Sequence, residues 1–266
     1  MSIPLVDLHN DVITCLSPKK FKKYIQKAEY AGVKAILISV WTTKMQDPMS
    51  EIQKHRKTID ETKTSIKLLL HIEDAWFLDE DNIDELITLK PYSVGLTWNC
   101  NNALAGGALD NGSLTPLGKS IVEKLVDNDI ITDLAHLNRK SFFEVIKLCK
   151  KPLCSHTCFS EVHPHPRNID REQIQAIINA DGLIGLTLVG DFIGSNILNH
   201  IKYFLNNFGE DNLVFGTDFF GTKNLPKGLE NYRNFAKFGL YLTRNGIEKE
   251  TINRLFHKNY YEYNRS

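Results

Sequence analysis

The segment VDLHND, residues 6–11, sets Asp7, His9 and Asp11 among Val6 and Leu8 at the end of an apolar run. An extended chain sends alternate side chains to one face, so His9 and Asp11 point together, two residues apart. A buried imidazole paired with a carboxylate for structure alone is one account of this pair, and a metal site is the other. The remaining polar outliers favour the second. Glu73 in HIED, His136 in DLAH, His156 in CSHT and Asp218 in GTDF each close another apolar run. Three imidazoles with two or three carboxylates, and no obligatory thiolate, suit zinc or a similar borderline divalent ion. They also outnumber the ligands that one tetrahedral catalytic ion requires. Two ions fit, and a pair about 3.5 to 4 Å apart needs a bridging carboxylate. Glu73 is the natural bridge, because its run falls between those of the other ligands. Bridged ions lower the pKa of bound water towards neutrality and so supply a hydroxide nucleophile.

Something must bring these dispersed residues together. Eight runs rich in Val, Ile and Leu recur along the chain, over 5–9, 35–41, 67–74, 93–99, 130–136, 152–157, 183–188 and 213–219. Apolar-striped stretches such as 19–30, 50–64, 116–128, 139–149 and 170–180 lie between them and predict helices. One helix start is explicit: Ser113-Leu-Thr115-Pro116 puts a capping hydroxyl before a proline at the first helical position. Strands alternating with helices, with no break in composition, predict a single α/β domain over residues 1–266, a (β/α)8 TIM barrel. An open doubly wound sheet is the alternative. Its nucleotide-binding form lacks support, since no Gly-x-Gly-x-x-Gly turn or phosphate loop follows any run. In a barrel the strand ends meet at the C-terminal mouth, so His9, Asp11, Glu73, His136, His156 and Asp218 become one cluster.

Composition narrows the partners. Lys plus Arg equal Asp plus Glu at 32 each, and no basic run is interleaved with aromatics. Neither nucleic acid nor a membrane is therefore expected as a partner, and a small neutral or zwitterionic ligand fits better. The N-terminal residues carry no basic region followed by a long apolar stretch, and no uninterrupted run would span a bilayer. A cytoplasmic protein is expected, with a homodimer among the oligomeric states left open. The five cysteines are too few and too irregular for a disulfide framework. Cys154 and Cys158, flanking His156, are expected to be small apolar strand residues rather than soft ligands.

Taken together, these motifs resemble the membrane (renal) dipeptidase family of binuclear zinc peptidases, within the amidohydrolase-like barrels. VDLHNDV is similar to the family's opening His-x-Asp segment, HIED to its bridging-Glu segment, and LTPLGKSIVEKLVDNDIITDLAH to its longest shared block; CSHT, PHPRN and GTDFFG follow in the family's order. The resemblance implies two zinc ions per chain, one held by His9, Asp11 and Glu73, the other by Glu73, His136 and His156. It implies that Arg167 receives the free carboxylate of a dipeptide substrate and that Asp218 carries the proton from the attacking water to the leaving amine. His71 and Asp7, on the same face as the ligands, are expected to support them from below, and His163 and His165 to be solvent-exposed.

One position departs from the family. The fourth strand of the well-known dipeptidases ends in Leu-Thr-His, and that histidine polarises the scissile carbonyl, whereas this chain has LTWN. Trp98 can donate one hydrogen bond but transfers no proton. Either Asn99, Asn101, Asn102 or the metal stabilises the oxyanion, or Trp98 is an apolar wall and substrate choice has shifted. The expected activity is hydrolysis of short zwitterionic dipeptides. A related binuclear amidohydrolase acting on a non-peptide amide or ester, and a non-catalytic metal- or peptide-binding barrel, are the alternatives.

Overall fold

In the computed structural model, which describes residues 3–265, the apolar runs form eight strands. They are β1 (Leu5–Asn10), β2 (Val33–Trp41), β3 (Lys67–Glu73), β4 (Ser93–Gly95), β5 (Ile131–Asp133), β6 (Leu153–Thr157), β7 (Leu183–Leu186) and β8 (Leu213–Phe215). Each pairs in parallel with the next, and β8 returns to β1, closing the (β/α)8 barrel. The helices Pro18–Ala31, Pro48–Asp60, Pro116–Asp127, Arg139–Val145 and Arg171–Asn179 fill the crossovers where the apolar stripes predicted them. Thr115 caps Pro116–Asp127 by accepting from the Gly118 N–H at 3.0 Å. Among the described residues, no helix is long and apolar enough to cross a membrane.

Two apolar layers hold the barrel. The larger lies between strands and helices. The smaller fills the barrel bottom, where Val6, Leu8, Ala35, Leu37, Leu153, Leu183 and Val214 pack against Tyr260 and Tyr263 of the C-terminal helix Asn259–Tyr263. Full burial of a large apolar side chain in such a layer contributes roughly 1.5–3 kcal/mol. The inward face changes character towards the strand ends. Leu37 gives way to Ser39 on β2, Leu69 to His71 and Glu73 on β3, Ile131 to Asp133 on β5, and Leu153 to Ser155 on β6. The same alternation that builds an apolar floor therefore places a polar layer at the mouth.

Several strands stop earlier than the apolar runs suggest. The runs 93–99, 130–136 and 213–219 extend past the last ladder pairs of β4, β5 and β8. Their final residues are loop, and there the ligand candidates His136 and Asp218 sit, at φ 67° and 59°. Left-handed backbone at a non-glycine residue costs on the order of 1 kcal/mol or more, and such strain clusters at functional sites.

Candidate metal centre

Two breaks in strand register create the heart of the site. Leu8 points into the barrel, so strict alternation would turn His9 outward, but the β1–β2 register shifts between Asp7 and Asn10. The β6–β7 register shifts likewise between Cys154 and Thr157, letting both Ser155 and His156 face inward. A bulge re-aims a side chain in this way. The His9 and His156 rings consequently lie with centroids 3.8 Å apart.

Glu73, the last residue of β3, is the common neighbour. Its Oε1 lies 2.8 Å from His136 Nε2 and 3.7 Å from both His9 Nε2 and His156 Nε2. His136 Nε2 and His156 Nε2 are 2.8 Å apart, and Asp11 Oδ2 is 3.4 Å from His9 Nε2. Donor atoms of His9, Asp11 and Asp218 also lie within 4.8 Å of one another. The structure thus brings all six residues together. The donor set suits a divalent cation, because His9 Nε2 and Asp11 Oδ1 are buried without a hydrogen-bond partner among the described residues. Buried polar atoms of that kind are costly unless something else engages them.

Electrostatics agree. Burial keeps His136 and His156 well below the ordinary imidazole value, in the neutral form that binds metals. Burial also opposes charge on His9, yet the adjacent Asp11 and Glu73 carboxylates push it up to about 10. Burial pushes Glu73 up to about 8 and, with the charge of Asp11, holds Asp218 well above the carboxylate range. Three carboxylates crowded into little solvent attract positive charge, which a cation bound there would supply.

A family description, membrane dipeptidase (peptidase family M19), matches residues 27–262. The chain belongs to this family of metallopeptidases. An uncharacterised protein from the pqqA 5′ region of Klebsiella pneumoniae is 25% identical over 219 residues, 73% of this chain and 80% of that one. The dipeptidase ataJ of Aspergillus terreus is 29% identical over 135 residues, 47% of this chain and 33% of that enzyme, so the match spans about a third of its length. Among solved structures, the dipeptidase AC of family M19 superposes with TM-score 0.85 at 18% identity over 99% of this chain and 98% of that one. A metallo peptidase from Rhodobacter sphaeroides, liganded with a phosphinate mimic of L-Ala-D-Ala, gives 0.84 at 19% identity over 99% of both. At such identities these structures share the fold.

Above the ligand candidates of this M19 chain lies a cavity of about 340 Å³, with Asp11, Glu73, His136 and Asp218 exposed in it. Trp41, Trp98, Phe192 and Phe220 line it with aromatic surface, the two indoles meeting edge to face at 5.4 Å. Trp41 ends β2 and went unnoticed in the sequence, although an aromatic at a strand end was the available signal. Asn99 also lines this cavity, and its Oδ1 faces His136 Nδ1 at 3.0 Å. A larger cavity of about 810 Å³ opens beside it, with Asp191 common to both, and contains none of the six.

Three sequence expectations change. Asp7 does not share a face with His9: it lies in the barrel wall, where Tyr232, Thr217 and the His9 N–H donate to it. His165 is half-buried rather than solvent-exposed, its ring 4.6 Å from Phe192 and its Nδ1 accepting from the Arg167 N–H. His163 is half-buried too, against the backbone of Gly194. Arg167 is buried but does not line the 340 Å³ cavity; its guanidinium stacks 5.4 Å from the ring of Phe192, which does. His71 is packed beneath the site, its Nδ1 2.8 Å from Ser93 Oγ. Cys154 and Cys158 are buried in the apolar layer.

Proposed function

We propose that this chain is a zinc-dependent dipeptidase that hydrolyses short zwitterionic peptides. The observation that carries the reading is the position of Glu73 Oε1, within 2.8–3.7 Å of Nε2 atoms contributed by β1, the loop after β5, and β6. A carboxylate so placed suits a bridge, with His9 and Asp11 completing one ion's ligands and His136 and His156 the other's. Such a zinc pair, when bound, supplies a hydroxide nucleophile at neutral pH and polarises the scissile carbonyl. Asp218, exposed in the cavity beside Asp11, holds the proton taken up on attack and hands it to the leaving amine.

Arg167 binds the substrate's terminal carboxylate. Support comes from its own shortage of acceptors: Nη2 donates to His156 O at 3.3 Å, while Nε is buried without a partner among the described residues. Phe192 must swing aside for a carboxylate to reach it. With its Oδ1 engaged by His136, Asn99 offers Nδ2 to the developing oxyanion, and Trp98 forms an apolar wall. The aromatic lining also favours a second reading, a non-peptide amide or ester carrying a flat apolar group. The five free thiols suit a reducing cytoplasm, with a small peptide as the partner rather than nucleic acid or membrane.

The test combines metal analysis with a substrate panel. About two zinc ions per chain, lost in Glu73→Ala together with hydrolysis of dipeptides that include L-Ala-D-Ala, is the expected result. Cleavage of uncharged amides in place of dipeptides would move the assignment to the second reading. Failure to retain supplied zinc would overturn both and leave a binding barrel.

A further inference from the structure

One buried hydroxyl lies beneath both halves of the ligand cluster. Ser155 Oγ is 2.5 Å from Asp133 Oδ2, 2.8 Å from His156 Nδ1 and 3.4 Å from His9 Nδ1. All four residues are essentially inaccessible to solvent. A hydroxyl has one proton to donate and two lone pairs with which to accept. Asp133 takes the proton, because a carboxylate oxygen can only accept. Its other oxygen is already filled by the N–H groups of Ala135 at 3.1 Å and Ser155 at 2.8 Å. The lone pairs of Oγ then face the two imidazoles, and each ring must carry its proton on Nδ1. A proton on Nε2 instead would set the bare Nδ1 against an oxygen lone pair among side chains closed to solvent.

We infer that Asp133 and Ser155 form a single node that sets the tautomers of His9 and His156, so that both rings present unprotonated Nε2 to the ions. The pair are positioning residues and touch neither substrate nor reacting atoms. This inference rests on the metal reading above and adds a coupling to it. His9 belongs to one ion and His156 to the other, so one hydroxyl prepares both positions. His136 is oriented separately, by Asn99. Loss of Ser155 Oγ therefore weakens both ions, whereas loss of the Asn99 side chain weakens only one.

The test is zinc competition against a chromophoric chelator, with wild type, Ser155→Ala, Ser155→Thr and Asn99→Ala. Ser155→Ala is expected to lose about tenfold to a hundredfold in affinity for each ion, the usual cost of losing an outer-sphere partner of a ligating histidine. Ser155→Thr, which keeps a hydroxyl, should recover most of it, and Asn99→Ala should show one weakened ion. Nitrogen-15 NMR of the zinc-free protein gives a readout that a purely structural role would not move: the neutral ring of His156 should carry its proton on Nδ1 in wild type, and Ser155→Ala should lose that preference. Asp133→Asn carries the same measurements if Ser155→Ala does not fold. Wild-type affinity for both ions in Ser155→Ala overturns the node alone. A wild-type protein that takes up no zinc overturns the metal reading and the node with it.

Discussion

Gly221 runs directly against the carboxylate of Asp218: a methyl at its α-carbon would sit 2.0 Å from Asp218 Oδ1 and 2.5 Å from Asp11 Oδ2. Only glycine lets the loop after β8 pass so close. Gly221→Ala must push both carboxylates out of place, and a displacement near 1 Å at a catalytic group costs on the order of a hundredfold in rate. Turnover of a dipeptide should therefore fall by at least about tenfold, while overpacking lowers stability by about 1–3 kcal/mol. Steady-state kinetics beside urea unfolding separate the two effects. Unchanged turnover would show that Asp218 is not held where the chemistry needs it.

Asp7 ties the two edges where the barrel closes. Its carboxylate accepts from Tyr232 OH at 2.5 Å, from Thr217 Oγ1 at 2.7 Å and from the Thr217 N–H at 2.7 Å, one residue before Asp218. Tyr232→Phe removes one donor to a fully buried carboxylate and the nearest acceptor of Asn10 Nδ2, at 2.8 Å, leaving that amide Tyr24 OH at 3.0 Å. Leaving buried groups short of partners costs about 1–3 kcal/mol each. The variant should unfold at lower urea concentration with an unchanged slope, and an identical midpoint would mean the network contributes nothing net.

Much of this was legible in sequence, and for a physical reason. Parallel strands buried on both faces need continuous Val, Ile and Leu, so the polar residues closing each run, Glu73 and His156 among them, stood out. Alternation then misled. It placed Asp7 beside His9, because a period of two cannot reveal the register shifts in β1 and β6 that swing His9 and His156 inward. It also hid Ser155, which counting from His156 assigns to the opposite face. Nor does hydrophobicity show where a ladder ends, so β5 and β8 were drawn through the left-handed residues His136 and Asp218. That Arg167 stacks behind Phe192 depends on a contact across the chain that no local pattern records.

His200 gives a pH dependence away from the ligand candidates. Buried in the helix Ile197–Phe208, it accepts from the Phe159 N–H at Nδ1 and donates from Nε2 to the Ile193 carbonyl at 3.0 Å. Burial lowers its pKa below the ordinary imidazole value. The unfolded chain therefore takes up the proton first, so the contribution of His200 is complete above about pH 6.5 and lost as pH falls towards the depressed folded value. His200→Gln lacks this titration. The stability advantage of wild type over the variant should shrink as the pH is lowered from about 6.5, as measured by urea unfolding. An advantage that holds constant would mean that the ring protonates equally in both states.

The last prediction concerns the charge behind Phe192. A guanidinium holds a carboxylate through two parallel donors, whereas an ammonium is a point charge, so Arg167→Lys keeps the charge and loses the fork. Against a dipeptide with a free C-terminus, KM should rise by about tenfold or more with kcat little changed, the pattern of lost binding common to ground and transition states. The same dipeptide amidated at its C-terminus should bind wild type and variant alike, since it has no carboxylate to lose. Phe192→Ala, by uncovering the guanidinium, should lower KM for the free dipeptide and leave that of the amide nearly unchanged. If Arg167→Lys instead weakens both substrates equally, the side chain is supporting His156 through its carbonyl, its one partner within hydrogen-bond distance among the described residues, at 3.3 Å.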